Sequence, residues 1–472
     1  MKSYKILLFI CSVFLMLGAI SAAIPTEGIM IYNKTVTFPQ IADIVQSDEE
    51  DDKINIYKAK AKIDGESIAE FIMNRQLSEM NLVRKKAINS TMSIDFPNDS
   101  VEWLDEVFEA LQNAEQEPVR VLHYGDSQIE EDRISGNLRA SLQSLFGGYG
   151  VGIVPFVQNV ATSAIGQSAS AENDIYSRYL VYGPDDMRLD SRTYGVMGQS
   201  VRINGTFSTS FYPINLKYTY PNTKKFGQIT IMVDSIVGEL TASVTVGNRV
   251  IEKKYCAPTN FINFELGDST SRATVTLKGN ALVYGILVDG NENGVALDNV
   301  AMRGCSGTIF TSISPASMKK YFNNYNVPLI IMQFGGNSVP YIKNEKQVEN
   351  YCKSLSKQIN YLKRLSPESK ILFVGPSDMS TRINNKMVTY PHLSGFIDEL
   401  RDMCNENDVA YWDLYKAMGG ENSMENWVNS DPPLASKDYI HFTQKGADHA
   451  SKLLFKAINL AYEFYIYREE NE

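Results

Sequence analysis

The sequence contains little histidine, little cysteine and no excess of positive charge. Only four of its 472 residues are histidine and five are cysteine, and 55 acidic residues outnumber 45 basic ones, for a formal net charge of −10. Binding to nucleic acid or anionic lipid requires clustered lysine and arginine, so we expect no nucleic-acid partner. Chemistry that needs a histidine base has a short list of candidates: His123, His392, His441 and His449.

Cysteine is too scarce for a disulfide scaffold. Cys11 lies in an N-terminal apolar run, and the remaining cysteines are widely spaced and form no CxxC pair, so no zinc site is indicated. These residues are Cys256, Cys305, Cys352 and Cys404. Isolated buried thiols are our expectation, and one or two disulfides are the alternative. We expect neither a metal nor a cofactor.

The first 23 residues have the layout of a cleavable secretory signal. Lys2 and Lys5 precede an apolar run of roughly fifteen residues, shorter than the ~20 residues of a spanning helix, and small residues follow up to Ala23. We expect an exported protein, periplasmic or extracellular, with no transmembrane segment after the signal. An uncleaved N-terminal anchor is the alternative. Residues 24–95 are interpreted as an N-terminal extension.

Two patterns divide the rest of the chain. In 96–154 and 296–472, buried-strand runs such as VRVLHY alternate with helical spacing, which predicts an α/β fold whose parallel sheet is covered by helices on both faces. In 155–295, short alternating runs are separated by Gly, Asn and Asp, which predicts an antiparallel sheet or sandwich. We therefore predict an α/β unit in two segments with an inserted all-β domain between them.

A serine stands where the first strand of this α/β unit meets a helical pattern. The run GDSQ, at 125–128, follows the strand, and helical spacing continues through 128–145. Backbone N–H groups at such a junction point toward a ligand, so Ser127 is a candidate nucleophile, with a helix cap as the alternative. Near the C-terminus, Asp438 precedes His441 by three residues, a spacing that can bring a carboxylate to an imidazole in one turn. A surface loop is the alternative there.

Two glycine-rich turns contain candidate donors for an oxyanion. The run GCSG has Gly304 and Gly307 at a predicted strand end, where a residue without Cβ allows a backbone N–H to approach a ligand closely. The run GGNS ends another strand at Asn337, whose side-chain amide is a neutral donor. Taken singly, each run is typical of an ordinary turn with no role in catalysis.

In combination and in this order, the GDS, GCSG, GGN and DxxH segments resemble the four blocks of the SGNH hydrolases, also called the GDSL esterases. The resemblance covers about 119–150 and 296–465 and implies a flavodoxin-like three-layer sandwich. It implies a catalytic triad and an oxyanion hole as follows: Ser127, Asp438 and His441 for the triad, and the N–H groups of Ser127 and Gly307 with the Asn337 side chain for the hole. Gly304 is the alternative to Gly307.

Two positions depart from the family pattern. Ser338 follows Asn337 where the common block has an aspartate, which removes a supporting carboxylate but leaves the amide donor. Thr308 follows Gly307 directly, whereas many members have an aspartate between the glycine and the threonine.

The long β-rich stretch between Ser127 and Gly307 resembles the bacterial O-acetylpeptidoglycan esterases and related glycan acetylesterases, in which a carbohydrate-binding-like module is inserted at this point. This implies a secreted esterase that removes O-acetyl groups from a cell-envelope or other polysaccharide, with the O-acetylated glycan as its partner. The alternatives are a lipase-like or arylesterase-like hydrolase, a polysaccharide O-acetyltransferase, and a non-catalytic glycan-binding protein. Trp427, in a polar loop before Asp438, is a candidate substrate contact.

Overall fold

The computed structural model describes residues 94–158, 160–171 and 176–470, together with a short hairpin at 29–31 and 34–36. In that hairpin β1 (Ile29–Ile31) pairs antiparallel with β2 (Lys34–Val36), within a compact unit separate from the one that contains the rest. The predicted signal and the helical pattern of the N-terminal extension lie outside the described residues.

The remaining strands, in chain order, are β3 (Ile94–Asp95), β4 (Val119–Gly125), β5 (Gly150–Val154), β6 (Gly166–Ala171), β7 (Tyr176–Leu180), β8 (Gln199–Tyr212), β9 (Phe226–Val246), β10 (Arg249–Tyr255), β11 (Phe261–Thr270), β12 (Ala273–Asp289), β13 (Val295–Ala301), β14 (Asn326–Gln333), β15 (Lys370–Val374), β16 (Ser380–Ile383), β17 (Lys386–Thr389) and β18 (Ala410–Trp412). The described α-helices are α1 (Asp105–Gln112), α2 (Ser135–Phe146), α3 (Pro315–Phe322), α4 (Glu345–Leu365), α5 (Leu393–Glu406), α6 (Leu414–Met418), α7 (Ser423–Asn429) and α8 (Gln444–Glu469).

A six-stranded sheet forms the centre of the α/β part, in the order β13-β4-β14-β15-β18-β3. Its neighbours are parallel except for the short edge strand β3, which is antiparallel to β18. In the register, Gly125 at the end of β4 pairs with both Ala301 of β13 and Gln333 of β14. The carboxyl ends of three neighbouring strands are therefore level, and the turns that follow them meet at one edge.

Helices cover both faces of this sheet because its strands are apolar on both sides. Leu122 and Tyr124 of β4 belong to a buried cluster that includes residues of α3, α4 and α5. Val121, which precedes Leu122 and points to the opposite face, belongs to a second cluster with residues of α1, α2 and α8. This layered arrangement confirms the prediction of an α/β fold with a parallel sheet.

The stretch between the two α/β segments contributes seven strands, β6 to β12, to an eight-stranded antiparallel sheet with a hydrophobic cluster of its own. The short alternating runs in 155–295 predict one strand for each run, and this is wrong in detail, because β9 and β12 are single strands that each span two runs. Gly238 and Gly279 have positive φ values, and the ladder between β9 and β12 shifts its register near both residues, so the glycines bend a strand instead of ending it. The sheet also includes β5, which precedes residue 155 and pairs with β12.

A buried ion-pair network joins the two sheets. Arg120 of β4 donates to Asp298 of β13, with Nη2 and Oδ1 2.7 Å apart, and to Asp289 of β12, with Nη1 and Oδ2 2.8 Å apart. Asp298 Oδ1 also accepts the N–H of Ile153 in β5 at 2.8 Å. Because removal of one partner would leave a buried charge uncompensated, this network holds the sheets against each other. The domain limits 96–154, 155–295 and 296–472 remain predictions.

The cysteines in the described part of the chain are free thiols. Cys256 is exposed, and the other three, Cys305, Cys352 and Cys404, are buried. None of the described helices is long and apolar enough to cross a membrane. The described residues also contain no group of three or more His, Cys, Asp or Glu side chains that could hold a metal ion.

Candidate active site

Ser127 lies in the turn that follows β4, at the level edge of the parallel sheet. Its Oγ is 3.1 Å from Nε2 of His441, across more than three hundred residues of sequence. Gly125 makes the turn possible, because a Cβ there would be 2.9 Å from the Ile129 side chain and 3.2 Å from the Gln333 carbonyl oxygen. The residue type at position 125 is thus set by the close approach of β14.

Asp438 orients the imidazole of His441. Oδ2 of Asp438 is 2.8 Å from Nδ1 of His441, and Oδ1 accepts the N–H groups of Ile440 and His441, both at 3.0 Å. Partial burial raises the pKa of Asp438, but these hydrogen bonds outweigh burial and the pKa lies below its usual value. An ionised carboxylate at Nδ1 favours the tautomer that has its proton on Nδ1, which leaves Nε2 free to accept the Ser127 proton.

The segment after Ser127 is not the predicted continuous helix. A 3-10 turn spans Glu130–Asp132, and α2 begins only at Ser135. Glu131 and Asp132 have φ values of 61° and 63°, which an α-helix cannot contain. Asp132 is held in this conformation by Arg139, whose Nη1 and Nη2 donate to its carboxylate at 2.6 and 2.8 Å. The helix start is therefore set by a buried ion pair that the local pattern did not reveal.

Two polar side chains after Ser127 hold the loop that contains His441. Gln128 Nε2 donates to the carbonyl oxygen of Ile440 at 2.9 Å. Arg133 donates through Nη1 to the carbonyl oxygen of Phe442 at 3.2 Å and through Nη2 to the carbonyl oxygen of Ser127. These bonds flank His441 and fix it relative to the Ser127 turn. No motif in the sequence marks either residue, since neither belongs to a residue type that indicates a catalytic site.

The candidate oxyanion donors differ in their surroundings. In the described hydrogen bonds, the N–H of Ser127 has no acceptor, so it is available to a ligand. Asn337 Nδ2 donates to Oδ2 of Asp126 at 2.9 Å and to the carbonyl oxygen of Cys305 at 3.1 Å. The N–H of Gly307 faces Sγ of Cys305 at 3.3 Å.

Gly307, and not Gly304, lies next to the site. Gly307 is buried with a φ of 80°, and a Cβ there would be 2.8 Å from the ring of Phe334, a residue that lines the Ser127 pocket. Gly304 is exposed, with open space where a Cβ would be. Neither glycine is itself among the residues that line the pocket, so the oxyanion role of Gly307 remains a prediction.

Asp126 is a buried acid that contacts two parts of the site. Oδ1 accepts the N–H of Gln128 at 2.9 Å, and Oδ2 accepts Nδ2 of Asn337. Burial raises the pKa of Asp126 to about 6, against the lowering effect of these hydrogen bonds and of His441. These contacts stabilise the turn after β4 and link it to Asn337.

The Ser127 pocket has a volume of about 190 Å³. Ser127, Asn337 and His441 line it, and the less polar residues of its lining include Pro340, Tyr341 and Met379. Tyr341 is 74% exposed, unusual for a large aromatic side chain, so its ring is available at the pocket rim. No motif marked Tyr341 in the sequence.

The structure corrects the interpretation of Trp427. This side chain is only 6% exposed, its Nε1 donates to the carbonyl oxygen of Met418 at 3.1 Å, and its ring packs against Phe442 and His449. Trp427 is a core residue of α7 and does not line the Ser127 pocket, because its ring belongs to a buried cluster that includes residues of α8.

His123, the histidine near the nucleophile in sequence, is buried beside β14 and α2. Its ring nitrogens contact Oγ of Ser135 at 2.9 Å and Oε1 of Gln333 at 3.3 Å. Burial lowers the pKa of His123 to about 4, so this ring is uncharged at neutral pH.

Comparisons with known proteins identify the fold. No family model and no curated protein match the sequence. A solved peptidoglycan O-acetylesterase superposes with a TM-score of 0.61 at 17% identity, over 76% of this chain and 96% of that one. An acetyl xylan esterase and a GDSL-like lipase from Parabacteroides merdae each have a TM-score of 0.28 at 15% identity and cover 35% of this chain, with 81% and 74% of their own chains included.

The last two superpositions have TM-scores too low to support an inference, whereas the first covers most of both chains. It shows a shared fold between this chain and a solved peptidoglycan O-acetylesterase. By that fold and by the order of its four sequence blocks, this chain resembles the SGNH hydrolases, also called the GDSL esterases.

Proposed function

We propose that this chain is an exported serine esterase that removes O-acetyl groups from a cell-envelope polysaccharide. One observation carries the proposal: Ser127, His441 and Asp438 form a hydrogen-bonded relay, with 3.1 Å from Oγ to Nε2 and 2.8 Å from Nδ1 to Oδ2. A hydroxyl in contact with an oriented imidazole is the arrangement that activates a serine as a nucleophile.

In the first step, Ser127 Oγ forms a bond to the acetyl carbonyl carbon as its proton moves to Nε2 of His441. The carbonyl oxygen becomes an oxyanion, and the free N–H of Ser127 is positioned to bind it. The Asn337 side chain is the second donor, and it turns one amide hydrogen from the Cys305 carbonyl toward the oxyanion. The N–H of Gly307 is the third donor. The intermediate collapses, the sugar oxygen leaves, and His441 returns the proton to it as the sugar hydroxyl forms.

In the second step, water attacks the acetyl-serine. His441 takes a proton from the water as its oxygen bonds to the acetyl carbon, and the new oxyanion uses the same donors. When the bond to Ser127 Oγ breaks, His441 returns the proton to Oγ and acetic acid is released. No metal or cofactor takes part in either step.

The choice of substrate class rests on three features. The fold neighbour with extensive overlap is described as a peptidoglycan O-acetylesterase, and the small pocket suits a short acyl group. The exposed ring of Tyr341 at the pocket rim offers a surface against which the apolar face of a sugar can pack. On this proposal 96–154 and 296–472 form the hydrolase domain, and 155–295 is an inserted β domain that contacts the glycan.

The test is acetate release by the mature protein from O-acetylated peptidoglycan, acetylated xylan and p-nitrophenyl acetate. We expect release from a polysaccharide by the wild type, a loss of at least about 10³-fold in Ser127→Ala, and full activity in Ser191→Ala, which removes an exposed hydroxyl far from the site in sequence. Thermal unfolding of each variant verifies that it is folded.

Other outcomes would contradict the proposal in different ways. Higher rates on long-chain p-nitrophenyl esters than on acetate would favour a lipase-like enzyme. Acetyl transfer from the enzyme to a sugar, with no free acetate, would indicate a transferase. Equal activity of the wild type and Ser127→Ala would exclude a mechanism in which Ser127 is the nucleophile.

A further inference from the structure

A second cavity, of about 410 Å³, lies between the turn that follows Ser127 and the first strands of the antiparallel sheet. Glu130 and Glu131 line it from the turn, and Arg178 of β7 and Gln199 of β8 line it from the sheet. Glu131 is exposed and Arg303, another lining residue, is 64% exposed in its side chain, so the cavity opens to solvent. Its volume falls within the range of small-molecule sites, roughly 300–1,000 Å³.

Two buried polar atoms on the wall of this cavity have no hydrogen-bond partner in the described structure. They are Oε1 of Gln199, a residue only 7% exposed, and Nε of Arg178. In the ladder between β7 and β8, Leu180 pairs with Gln199 and Arg178 pairs with Val201. Every second side chain of a strand points to the same face of the sheet, so Arg178 shares a face with Leu180 and therefore with Gln199. Arg178 and Gln199 are diagonal neighbours on that face, with backbones roughly 7–8 Å apart.

Four other charged residues of the wall form two ion pairs, whereas Glu131 is exposed at the open side of the cavity. Asp132 accepts both ends of the Arg139 guanidinium, and Glu130 accepts Arg303 Nη2 at 2.6 Å. Among the buried side-chain atoms of the wall, one donor, on Arg178, and one acceptor, on Gln199, therefore lack a partner. Buried polar atoms are almost always satisfied in proteins, so this pair is suited to a ligand that supplies both an acceptor and a donor.

The chemistry of a sugar residue matches this requirement. A pair of hydroxyls, or an acetamido group with its C=O and N–H, presents an acceptor and a donor close together. Val154, Pro155 and Leu180 provide an apolar part of the wall that can receive the C–H face of the ring. The cavity shares no lining residue with the Ser127 pocket, so it is a separate site.

We propose that this cavity binds a saccharide unit of the polysaccharide at a distance from the ester that reacts at Ser127. Arg178 donates to a carbonyl or hydroxyl oxygen of the sugar, and Gln199 accepts its N–H or O–H. This inference rests on the proposed function for the identity of the polymer, but the cavity itself can be tested without the reaction. It assigns to the antiparallel sheet a direct part in holding the glycan.

The experiment measures binding of ester-free oligosaccharides to the Ser127→Ala protein by titration calorimetry. Chitotetraose supplies acetamido groups and xylotetraose supplies hydroxyls only, so the two probes separate the two sources of the same chemistry. We expect one of them to bind, and we expect Gln199→Leu and Arg178→Met, each added to Ser127→Ala, to weaken binding by about tenfold or more. Arg188→Met, outside the cavity, should bind like the parent protein.

Thermal unfolding checks that each variant is folded, and Arg178→Lys provides a milder second variant. The inference would be overturned if neither probe bound, or if Gln199→Leu and Arg178→Met left the binding unchanged. The proposed function has its own readout, because absence of acetate release from every polymer would contradict the esterase even if the oligosaccharides bind the cavity.

Discussion

Oδ2 of Asp126 accepts a hydrogen bond from Nδ2 of Asn337 at 2.9 Å, and this contact joins the turn after β4 to the turn after β14. Asn337 thereby presents its amide to the pocket in an orientation fixed by the residue next to the nucleophile. The common family pattern has an aspartate after this asparagine, and here the position is Ser338. In this chain, the carboxylate that holds Asn337 comes from Asp126.

Replacing Asn337 tests its part in the oxyanion hole. We expect Asn337→Ala to lower kcat for p-nitrophenyl acetate by about 10²–10³-fold, because one neutral donor to the tetrahedral intermediate is lost. Asn263→Ala, at an exposed position on β11, is the matched control and should have wild-type kinetics. A kcat within twofold of wild type in Asn337→Ala would exclude the amide from the hole.

Asp438→Asn should reduce kcat by roughly 10⁴-fold while the protein stays folded. The neutral amide can no longer favour the tautomer with its proton on Nδ1, nor stabilise the imidazolium that forms as Ser127 loses its proton. Steady-state kinetics over a range of pH would measure the effect, with the exposed Asp402→Asn as control. Retention of most of the activity would show that Asp438 does not orient His441 during the reaction.

Gln128 positions the loop that contains His441, so we expect its replacement to lower kcat. In Gln128→Leu the bond to the Ile440 carbonyl oxygen is lost, and we expect a fall in kcat of about 10–100-fold with little change in KM. The exposed Gln116→Leu is the control. If Gln128→Leu changed the melting temperature but not kcat, Gln128 would contribute to stability alone.

Asp126 should make stability depend on pH. Its pKa of about 6 in the folded chain exceeds the ordinary 3.8, so between these values the folded chain holds more of this proton than the unfolded chain. Stability from this group is then greatest at low pH and falls as pH rises from about 4 to about 6. The free-energy difference is on the order of 3 kcal/mol, at 1.36 kcal/mol per pKa unit.

Asp126→Asn removes this titration. Relative to wild type, we expect the variant to gain about 3 kcal/mol in the free energy of unfolding between pH 4 and pH 7, measured by urea unfolding. Effects of all other groups are common to both proteins and cancel in the difference. Asp186→Asn, at an exposed site, should show no such change. A constant difference between Asp126→Asn and wild type at both pH values would contradict the assignment.

Much of the architecture follows from local patterns. Alternation along a strand and the spacing of apolar residues in a helix are properties of short segments, so the predicted strand VRVLHY corresponds to β4, and strands alternate with helices in 296–472 as predicted. The order of the four motifs placed Ser127, Asn337, Asp438 and His441 at turns next to the ends of these elements. Those residues meet because parallel strands bring their carboxyl ends to one edge.

Other features depended on distant contacts. The delayed start of α2 comes from the ion pair of Asp132 with Arg139, and the burial of Trp427 comes from the packing of α7 on Phe442. Neither partner can be recognised from the segment itself. The merging of short runs into the long strands β9 and β12 likewise depends on which strands pair, since a glycine bends a strand only when its neighbours hold both sides.

By itself, the sequence determined which residue types could do chemistry, because four histidines and one GDS turn leave few combinations, and it determined the class of fold through the periods of its apolar residues. The tertiary structure alone decided that His441 lies 3.1 Å from Ser127, that Asp126 holds Asn337, and that Arg178 and Gln199 face one cavity. The physical reason is that distances between residues hundreds of positions apart are set by strand register and by buried polar pairs, which only the folded chain brings together.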